Sequence, residues 1–338
     1  MGPLRLASRG SPLALCQTEL IAELLRARNR GLEVEVLVVR TQGDDLSAPL
    51  DQIGGQGVFV TEVEAAVVEG RADAAVHSAK DMTSTMSPDL VIAAVPPRGD
   101  ARDGLVGCAM AELPPGGLIA TGSARRRAQL AHARPDLSFT EIRGNMERRV
   151  SRGEDGSVSA VVVAVAAMDR LGWMHRLTDI LDPFDVLPQA GQGAIAVQCR
   201  TDDAPTRTVL ASIDDARSHR AVRAERSVLA GLGGSCTVPV GAWAETLEGS
   251  MELHVHGLVA TGDGRVVIRM SRRGDDPELV GAEVAHALLV EGGGSGIEGF
   301  DEAALSRRGT PGPDPRSERE GQARQEDQAP REGPARQQ

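Results

Sequence analysis

Strand-like and helix-like segments alternate along most of the chain, and this order limits the folds open to it. The strand "LRLAS" is followed by a helix that Ser11 caps and Pro12 opens, and we expect this helix to run to about Arg28. After residue 98 the order returns, with strands "GLIATGS", "SFTEIRG" and "SAVVVAV" separated by helices "ARRRAQLAHAR" and "NMERRVSRG". Alternating strands and helices predict α/β sheets that are largely parallel. Two such units indicate paired lobes with a ligand cleft between them.

The first unit contains one long polar segment and one well-marked helix start. The segment "TQGDDLSAPLDQIGGQGVF" is rich in glycine, which predicts a mobile loop. Thr61 and Glu64 have the spacing of a capping box, so a helix is predicted to begin there, and Gly70 should end it.

The pattern changes after Asp214. A long amphipathic helix is followed by three strand-like segments and a second helix, which predicts a small α+β domain over residues 214–300. Residues 305–338 consist mainly of Pro, Gly, Gln, Arg and Glu, so we expect a disordered tail there.

The bulk properties exclude several classes of protein. The net charge of −11 argues against a general nucleic-acid binder, and no apolar run approaches the ~20 residues of a membrane span. The N-terminal segment lacks the apolar core of a signal peptide. The four cysteines, which form no CxxC pair or zinc motif, are Cys16, Cys108, Cys199 and Cys236. We therefore expect free thiols and a cytoplasmic location.

The only lysine of the chain, Lys80, lies beside Asp81 in "HSAKDM". Arginine supplies every other positive side chain, so a specific role for this ammonium is one interpretation and a chance surface lysine is the other. Asp81 follows a buried strand. Its carboxylate is a candidate for general acid/base work or for stabilising a cation, although a turn-capping aspartate would look the same in sequence.

The segment "TGSARRRAQL" places Arg125, Arg126 and Arg127 in the first turn of a helix capped by Ser123. A cation at that end of a helix is unfavourable by ~0.3–1 kcal/mol because the helix dipole is positive there. An anion at the helix start would remove the conflict, since backbone N–H groups and guanidinium groups would converge on it. Successive helical residues point in different directions, so at most two of the three arginines can face one ligand.

Further arginines lie at strand ends or helix starts, where α/β clefts form; these are Arg9, Arg143, Arg149 and Arg170. An acidic chain with a basic pocket indicates a small ligand with several carboxylates or phosphates. No P-loop and no GxGxxG motif is present, which argues against a nucleotide.

Three other features leave alternatives open. Cys236 in "GLGGSCTVPVG" is either a small residue filling a turn or a thiol presented for covalent work. His77 ends an apolar strand and is either a core residue or a ligand. His254 and His256 share one face of a strand but lack a third ligand, so we predict no metal site.

The blocks "LASRGSPLAL", "AVHSAKDM", "TGSARRRAQL", "IRGN", "AGQGAIAVQCR" and "GGSCTVPVG" together resemble the porphobilinogen deaminase family, in order from about Leu4 to Gly299. The resemblance implies a cytoplasmic, monomeric transferase of haem biosynthesis, with no nucleic-acid or membrane partner. It would condense four porphobilinogen units head to tail with loss of ammonia and then release hydroxymethylbilane.

The resemblance also implies which residues carry this chemistry. Cys236 would hold a dipyrromethane cofactor through a thioether, and Asp81, with Lys80, would be catalytic. The residues implied for the cofactor's carboxylates are Arg125, Arg126, Ser123, Thr121, Lys80 and Arg143. The residues implied for the substrate are Arg9, Ser11, Gln17, Arg149, Arg170, Phe59 and Gln192.

The implied fold has two periplasmic-binding-protein-like α/β lobes and a small C-terminal α+β domain. The first lobe would comprise residues 1–95 and 194–211, the second 99–188, and the cofactor-attachment domain 214–300. Two rival functions are a two-lobed protein that binds small polyanions without catalysis and a cysteine-dependent hydrolase. The absence of a signal peptide and the Cys236 domain count against the first rival, and the lack of a paired histidine motif counts against the second.

Overall fold

The computed structural model describes residues 2–41, 60–233, 238–247 and 249–300. The strands are β1 (Leu4–Arg9), β2 (Val34–Val39), β3 (Ala74–Ser78), β4 (Leu90–Ala94), β5 (Asp103–Gly107), β6 (Leu118–Ala120), β7 (Ser138–Thr140), β8 (Ala160–Ala164), β9 (Asp179–Ile180), β10 (Ile195–Arg200), β11 (Val240–Thr246), β12 (Leu253–Ala260) and β13 (Val267–Gly274). The helices are α1 (Pro12–Arg28), α2 (Thr61–Val68), α3 (Ala124–Ala133), α4 (Met146–Glu154), α5 (Val165–Arg170), α6 (Ala204–Ala211), α7 (Ala216–Gly231) and α8 (Pro277–His286).

The first sheet has the strand order β2-β1-β3-β10-β4. Strands β1, β2 and β3 are parallel, whereas β10 runs antiparallel between β3 and β4, so the sheet is mixed rather than parallel throughout. Helices α1 and α6 bury Ile21 and Leu210 against one face, and α2 buries Val63 against the other. Each such side chain contributes about 1.5–3 kcal/mol by leaving water.

The second sheet repeats this plan with the order β7-β6-β8-β5-β9. Strand β5 runs antiparallel between β8 and β9, as β10 does between β3 and β4. The sequence patterns did not predict β5, because "DGLVG" is short and contains two glycines. Packing requires a glycine at position 104, since a Cβ there would lie 3.0 Å from the carbonyl oxygen of Asp179. The two α/β lobes expected from the sequence are confirmed.

Two connecting segments, residues 95–102 and 181–194, join the lobes, and they run side by side at Gly99 and Gly193. The N–H of Gly99 donates to the carbonyl oxygen of Gly193 over 3.1 Å. Gly193 has φ +85°, and a Cβ there would lie 2.5 Å from the Gly99 oxygen, so a side chain would separate the two segments.

The C-terminal sheet β11-β12-β13 is antiparallel, and α7 and α8 pack on one of its faces. This confirms the predicted small α+β domain. Glu225 of α7 is fully buried and accepts hydrogen bonds from Arg98 at 2.5 and 3.1 Å, from the N–H of Gly191 at 2.6 Å and from the N–H of Ala244 at 2.8 Å. One carboxylate thereby joins both connecting segments to β11.

The local helix signals are partly confirmed. Ser11 caps α1 by accepting the N–H of Ala14 at 3.3 Å, and Gly70 follows α2 with φ +73°. The predicted capping box of α2 is wrong: the residue before the helix is Val60, no side chain caps it, and Thr61 is already helical. Within the described segments, no helix combines the length and apolar character that crossing a membrane requires.

Candidate active site

The first turn of α3 brings two arginines onto one carboxylate. Ser123 caps the helix and accepts the N–H of Arg126 at 3.4 Å. Asp103, at the start of β5, accepts Nη2 of Arg125 at 2.8 Å and Nη2 of Arg126 at 2.6 Å. The sequence led us to expect an external anion at this helix start. The structure shows that Asp103, an aspartate of the chain itself, already supplies part of the negative charge expected there.

This centre is buried and carries a net positive charge. Burial alone would raise the pKa of Asp103, but the charges and hydrogen bonds of Arg125 and Arg126 outweigh it and hold that pKa well below its usual range. Burial lowers the pKa of Arg125, with the charge of Asp103 opposing. Arg125 also donates to the Leu187 carbonyl at 2.5 Å and Arg126 to the Val162 carbonyl at 3.0 Å. The Nε of Arg125 is buried and has no hydrogen-bond partner among the described residues, so a donor remains for a ligand.

Lys80 and Asp81 lie on a short 3₁₀ turn, Ala79–Asp81, directly after β3. Gly191 packs against the back of this turn with φ +74°, and a Cβ there would lie 2.9 Å from the Lys80 nitrogen. Gln189 donates its side-chain amide to the Lys80 carbonyl at 3.0 Å. The connecting segment thereby fixes the turn from behind, while the Asp81 side chain stays exposed.

Lys80 lies within the electrostatic field of the arginine centre. Burial lowers its pKa to about 8; Asp81 and Asp103 oppose this shift, and the charges of Arg126 and Arg125 add to it. The ammonium therefore has two carboxylates and two guanidinium groups as electrostatic neighbours.

Arg149 of α4 interacts electrostatically with the same group of charges, namely Arg126 and Asp81. Burial and then the charge of Arg126 lower its pKa, and Asp81 opposes the shift. Its Nε is buried without a hydrogen-bond partner in the described part of the chain. We call the following six residues the cationic cluster: Lys80, Asp81, Asp103, Arg125, Arg126 and Arg149.

Two uncharged side chains adjoin the cluster. Gln192 is fully buried and donates its amide to Asp103 at 2.8 Å and to the Ala101 carbonyl at 2.6 Å. Its Oε1 has no hydrogen-bond partner among the described residues. Thr121 is buried and accepts the N–H of Ser123 at 3.2 Å, which supports the start of α3.

Three predicted residues of the first lobe lie at or just after the carboxyl end of β1, with Arg9 ending the strand, Ser11 capping α1 and Gln17 within α1. Gln17 is buried in α1 and accepts the hydroxyl of Ser78, two residues before Lys80, at 3.0 Å. Burial lowers the pKa of His77 to about 4, and the charge of Arg9 contributes to that shift. His77 is therefore a neutral core histidine, and Arg9 is its neighbour.

Of the remaining predicted residues, Arg170 contacts a connecting segment, whereas Arg143 makes no described contact with the cationic cluster. Arg170 donates to the Gly193 carbonyl at 2.6 Å, and its own carbonyl accepts the Cys16 thiol at 3.0 Å. Arg143 is exposed, and its described contact is with Glu141 at 3.5 Å, which does not link it to the cluster. The two predicted residues that lie outside the described segments are Phe59 and Cys236. The loop over 41–59 also lies outside them apart from Thr41, and the predicted tail lies wholly outside.

Sequence reasoning missed several residues that position the site. Asp103 was missed together with its strand, and Gln189 offered no pattern beyond its place in "LPQAGQGA". Arg226 of α7 donates to the Thr83 carbonyl at 2.8 Å and so holds the chain just after Asp81. None of these three contacts has a spacing in the sequence that could have revealed it.

Comparison with known proteins gives consistent matches along the chain. A family model described as "Porphobilinogen deaminase, dipyromethane cofactor binding domain" matches residues 4–208, and one described as "Porphobilinogen deaminase, C-terminal domain" matches residues 219–290. The porphobilinogen deaminase of Syntrophobacter fumaroxidans is 42% identical over 295 residues, covering 86% of this chain and 95% of that protein. Those of Roseiflexus castenholzii and Bordetella parapertussis are 43% and 41% identical, cover 86% of this chain, and are themselves covered to 97% and 93%.

Proposed function

The chain belongs to the porphobilinogen deaminase family, and from this we propose that it is a hydroxymethylbilane synthase. It is a transferase that condenses four porphobilinogen units head to tail, releases ammonia at each step and frees the linear tetrapyrrole by hydrolysis. The observation that carries the proposal is the cationic cluster, in which Lys80 and Arg149 are electrostatic neighbours both of the exposed Asp81 carboxylate and of the arginine centre.

The residues present suit a dipyrromethane cofactor. Its acetate and propionate groups need buried cationic donors, and the Nε atoms of Arg125 and Arg149 are buried donors without a protein partner in the described segments. When bound, this group supplies the pyrrole end onto which the product grows. We assign its covalent tether to Cys236, which follows the φ +84° turn at Gly233. Its carboxylates are assigned to Arg125, Arg126, Ser123, Thr121, Lys80 and Arg143.

Asp81 performs the central electrostatic role. In each condensation the C–N bond of the protonated porphobilinogen aminomethyl group breaks, ammonia leaves, a C–C bond forms and the pyrrole carbon that makes this bond loses its proton. The Asp81 carboxylate accepts hydrogen bonds from pyrrole N–H groups, stabilises the cation left by the departing ammonia and can take the proton. Lys80 and Arg149 are positively charged electrostatic neighbours of this carboxylate.

The incoming unit is held by side chains of both lobes. Its carboxylates require cations, and its ring requires hydrogen-bonding and aromatic neighbours. The residues assigned to it are Arg9, Ser11, Gln17, Arg149, Arg170, Phe59 and Gln192. We further propose the domain boundaries 1–95 with 194–211, 99–188, and 214–300. We also propose a monomer in the cytoplasm; the free thiols of Cys16, Cys108 and Cys199 accord with that location.

Replacement of Asp81 tests the proposal. We expect Asp81→Asn to retain the pyrrole adduct on the protein, seen by intact mass, and to lose turnover of porphobilinogen by about 10²–10⁴-fold, because the amide cannot stabilise a cation as the carboxylate does. The matched control is Asp89→Asn, an exposed aspartate in the following loop, which should leave both readouts unchanged. A wild-type protein that binds porphobilinogen without releasing ammonia would instead support the non-catalytic binding protein.

A further inference from the structure

The outer face of the C-terminal sheet, opposite α7 and α8, brings together three potential metal ligands. In the register of β11 with β12, Glu245 is paired with His254, and Trp243 is paired with His256. Side chains two residues apart point to the same face of a strand, so Glu245, His254 and His256 meet on one surface. The sequence showed two of these residues but could not show the cross-strand glutamate.

The three side chains have the spacing of a metal site. Oε1 of Glu245 lies 3.6 Å from Nδ1 of His254 and 3.5 Å from Nε2 of His256. One potential ligand atom from each residue can be chosen so that all three lie within 4.8 Å of one another. Two atoms bound ~2.1 Å from one tetrahedral ion are about 3.4 Å apart. Small side-chain rotations are therefore enough to close the three atoms onto an ion.

His256 is held in orientation, and its Nε2 is not saturated by a well-aligned hydrogen bond. Its ring stacks on Trp243 with centroids 5.5 Å apart and meets the edge of Phe184 at 5.3 Å. The chain has only two Trp and four Phe residues, so one third of them surround this single imidazole. Its Nε2 is buried and makes no hydrogen bond of ordinary geometry with the described residues. The ring is thus fixed with Nε2 at 3.5 Å from the Glu245 carboxylate.

Charged groups of both signs lie around the His256 ring. Burial lowers the pKa of His256, the charges of His254 and Arg273 add to this, and Glu245 opposes it. Arg273 lies opposite His254 on β13, and its positive charge would weaken the binding of a cation. The Glu245 carboxylate offsets that charge.

We propose that Glu245, His254 and His256 form a binding site for one divalent transition-metal ion. Two imidazoles and one carboxylate suit Zn²⁺, Co²⁺, Ni²⁺ or Cu²⁺, whereas Mg²⁺ and Ca²⁺ prefer sites made of oxygen ligands. Glu245 is 39% exposed, so water can complete the coordination shell. None of the three residues belongs to the cationic cluster. The proposal therefore does not depend on the proposed function.

Tryptophan fluorescence gives a direct readout, because Trp243 stacks on one of the ligands. The full-length holoprotein is prepared without a tag and with Trp173→Phe, so that Trp243 is the only tryptophan. Titration with Ni²⁺ or Co²⁺, whose open d-shells quench fluorescence, should give a saturable loss of emission. Zn²⁺ should reverse it by competition. Cu²⁺ is avoided because it oxidises thiols.

Variants in the same background identify the ligands. His254→Ala and Glu245→Gln should each weaken the apparent affinity about tenfold or more. The matched control, His286→Ala, removes an exposed histidine of the same domain and should leave the titration unchanged. His256 is left in place because its ring is packed, and circular dichroism checks that each variant is folded. Zn²⁺ should also raise the melting temperature of the parent protein but not that of the two ligand variants.

Two results would overturn the site. One is the absence of saturable quenching up to millimolar Ni²⁺ and Co²⁺ together with no thermal shift by Zn²⁺. The other is quenching that His254→Ala and Glu245→Gln leave unaltered, since the ion would then bind elsewhere. A cobalt–thiolate charge-transfer band would assign that other location to a cysteine.

Discussion

Asp103 and Glu225 are both fully buried carboxylates paired with arginine, yet their surroundings differ in one decisive respect. Glu225 has one guanidinium partner and two backbone N–H donors, so its charge is matched and its oxygens are saturated. Asp103 has two guanidinium partners, with the Lys80 ammonium nearby, so positive charge remains in excess. A carboxylate whose charge and hydrogen bonds are fully matched can hold elements together. A centre that keeps an excess of positive charge can also attract an anion.

The two centres also differ in what they leave unused. Beside Asp103, Nε of Arg125 and Oε1 of Gln192 are buried without partners in the described structure. Around Glu225, the described side chains leave no such atom. Buried polar atoms without partners are costly, so a bound ligand that supplied partners for these two atoms would stabilise the Asp103 centre, whereas the described part of the Glu225 centre offers no such atom.

The largest effect is expected for Asp103→Asn. Two buried guanidinium groups would lose their counter-charge, and breaking one buried pair costs about 3–5 kcal/mol. We expect the free energy of unfolding to fall by at least that amount in urea denaturation, and the pyrrole adduct to be lost by intact mass. Near-normal stability with a full adduct would remove the contrast between the two centres.

Glu225→Gln should be nearly as destabilising but should spare the chemistry. One buried guanidinium, that of Arg98, loses its counter-charge, which again costs about 3–5 kcal/mol. The folded fraction should keep its adduct and its turnover per molecule, because Glu225 does not belong to the cationic cluster. Loss of the adduct at unchanged stability would show that this centre, too, serves binding.

Lys80→Arg is expected to act through pH. The folded pKa of Lys80, about 8, lies below its ordinary value of 10.5, so the unfolded chain binds more protons between these values. The contribution of Lys80 to the free energy of unfolding therefore rises as the pH increases from about 8 to 10.5. Over the same pH range the site loses the positive charge of the Lys80 ammonium. Wild-type kcat/KM should decline at or above pH 8, since bound carboxylates raise this pKa. The variant should lack the decline because arginine stays charged, and superimposable pH profiles would exclude the role.

Arg127→Ala should have the smallest effect, although Arg127 shares the first turn of α3 with Arg125 and Arg126. Arg127 is exposed and lies 5.9 Å from the Phe139 ring. Removing the cation from the helix start gains ~0.3–1 kcal/mol, and losing the ring contact costs ~0.5–1 kcal/mol, so the two nearly cancel. Unchanged adduct and turnover would confirm that only the two inward arginines matter; a marked loss would extend the cluster to this face.

Local patterns in the sequence were enough to predict the lobes, the C-terminal domain and the start of α3. The Ser123 cap and the run of arginines identified a charged helix start, and the lone lysine marked the turn before Asp81. The quoted blocks supplied the remaining roles through resemblance alone. These features can be predicted from the sequence because each is determined by residues that lie close together in the chain.

The rest depended on contacts distant in sequence. Asp103 meets Arg125 across 22 residues and Gln192 across 89, and nothing near it marks a strand. Glu245 reaches His254 only through the register of two strands. The α2 capping box failed for a different reason, since the helix begins at Thr61 itself, one residue too early for Thr61 to cap it.

Gln192 and Gly191 are consecutive, yet the first contacts Asp103 and the second Glu225. Two consecutive residues thus connect the positively charged centre at Asp103 to the Glu225 carboxylate, which joins both connecting segments to β11. A shift of this segment under a lengthening, increasingly charged product would therefore change the surroundings of both buried carboxylates.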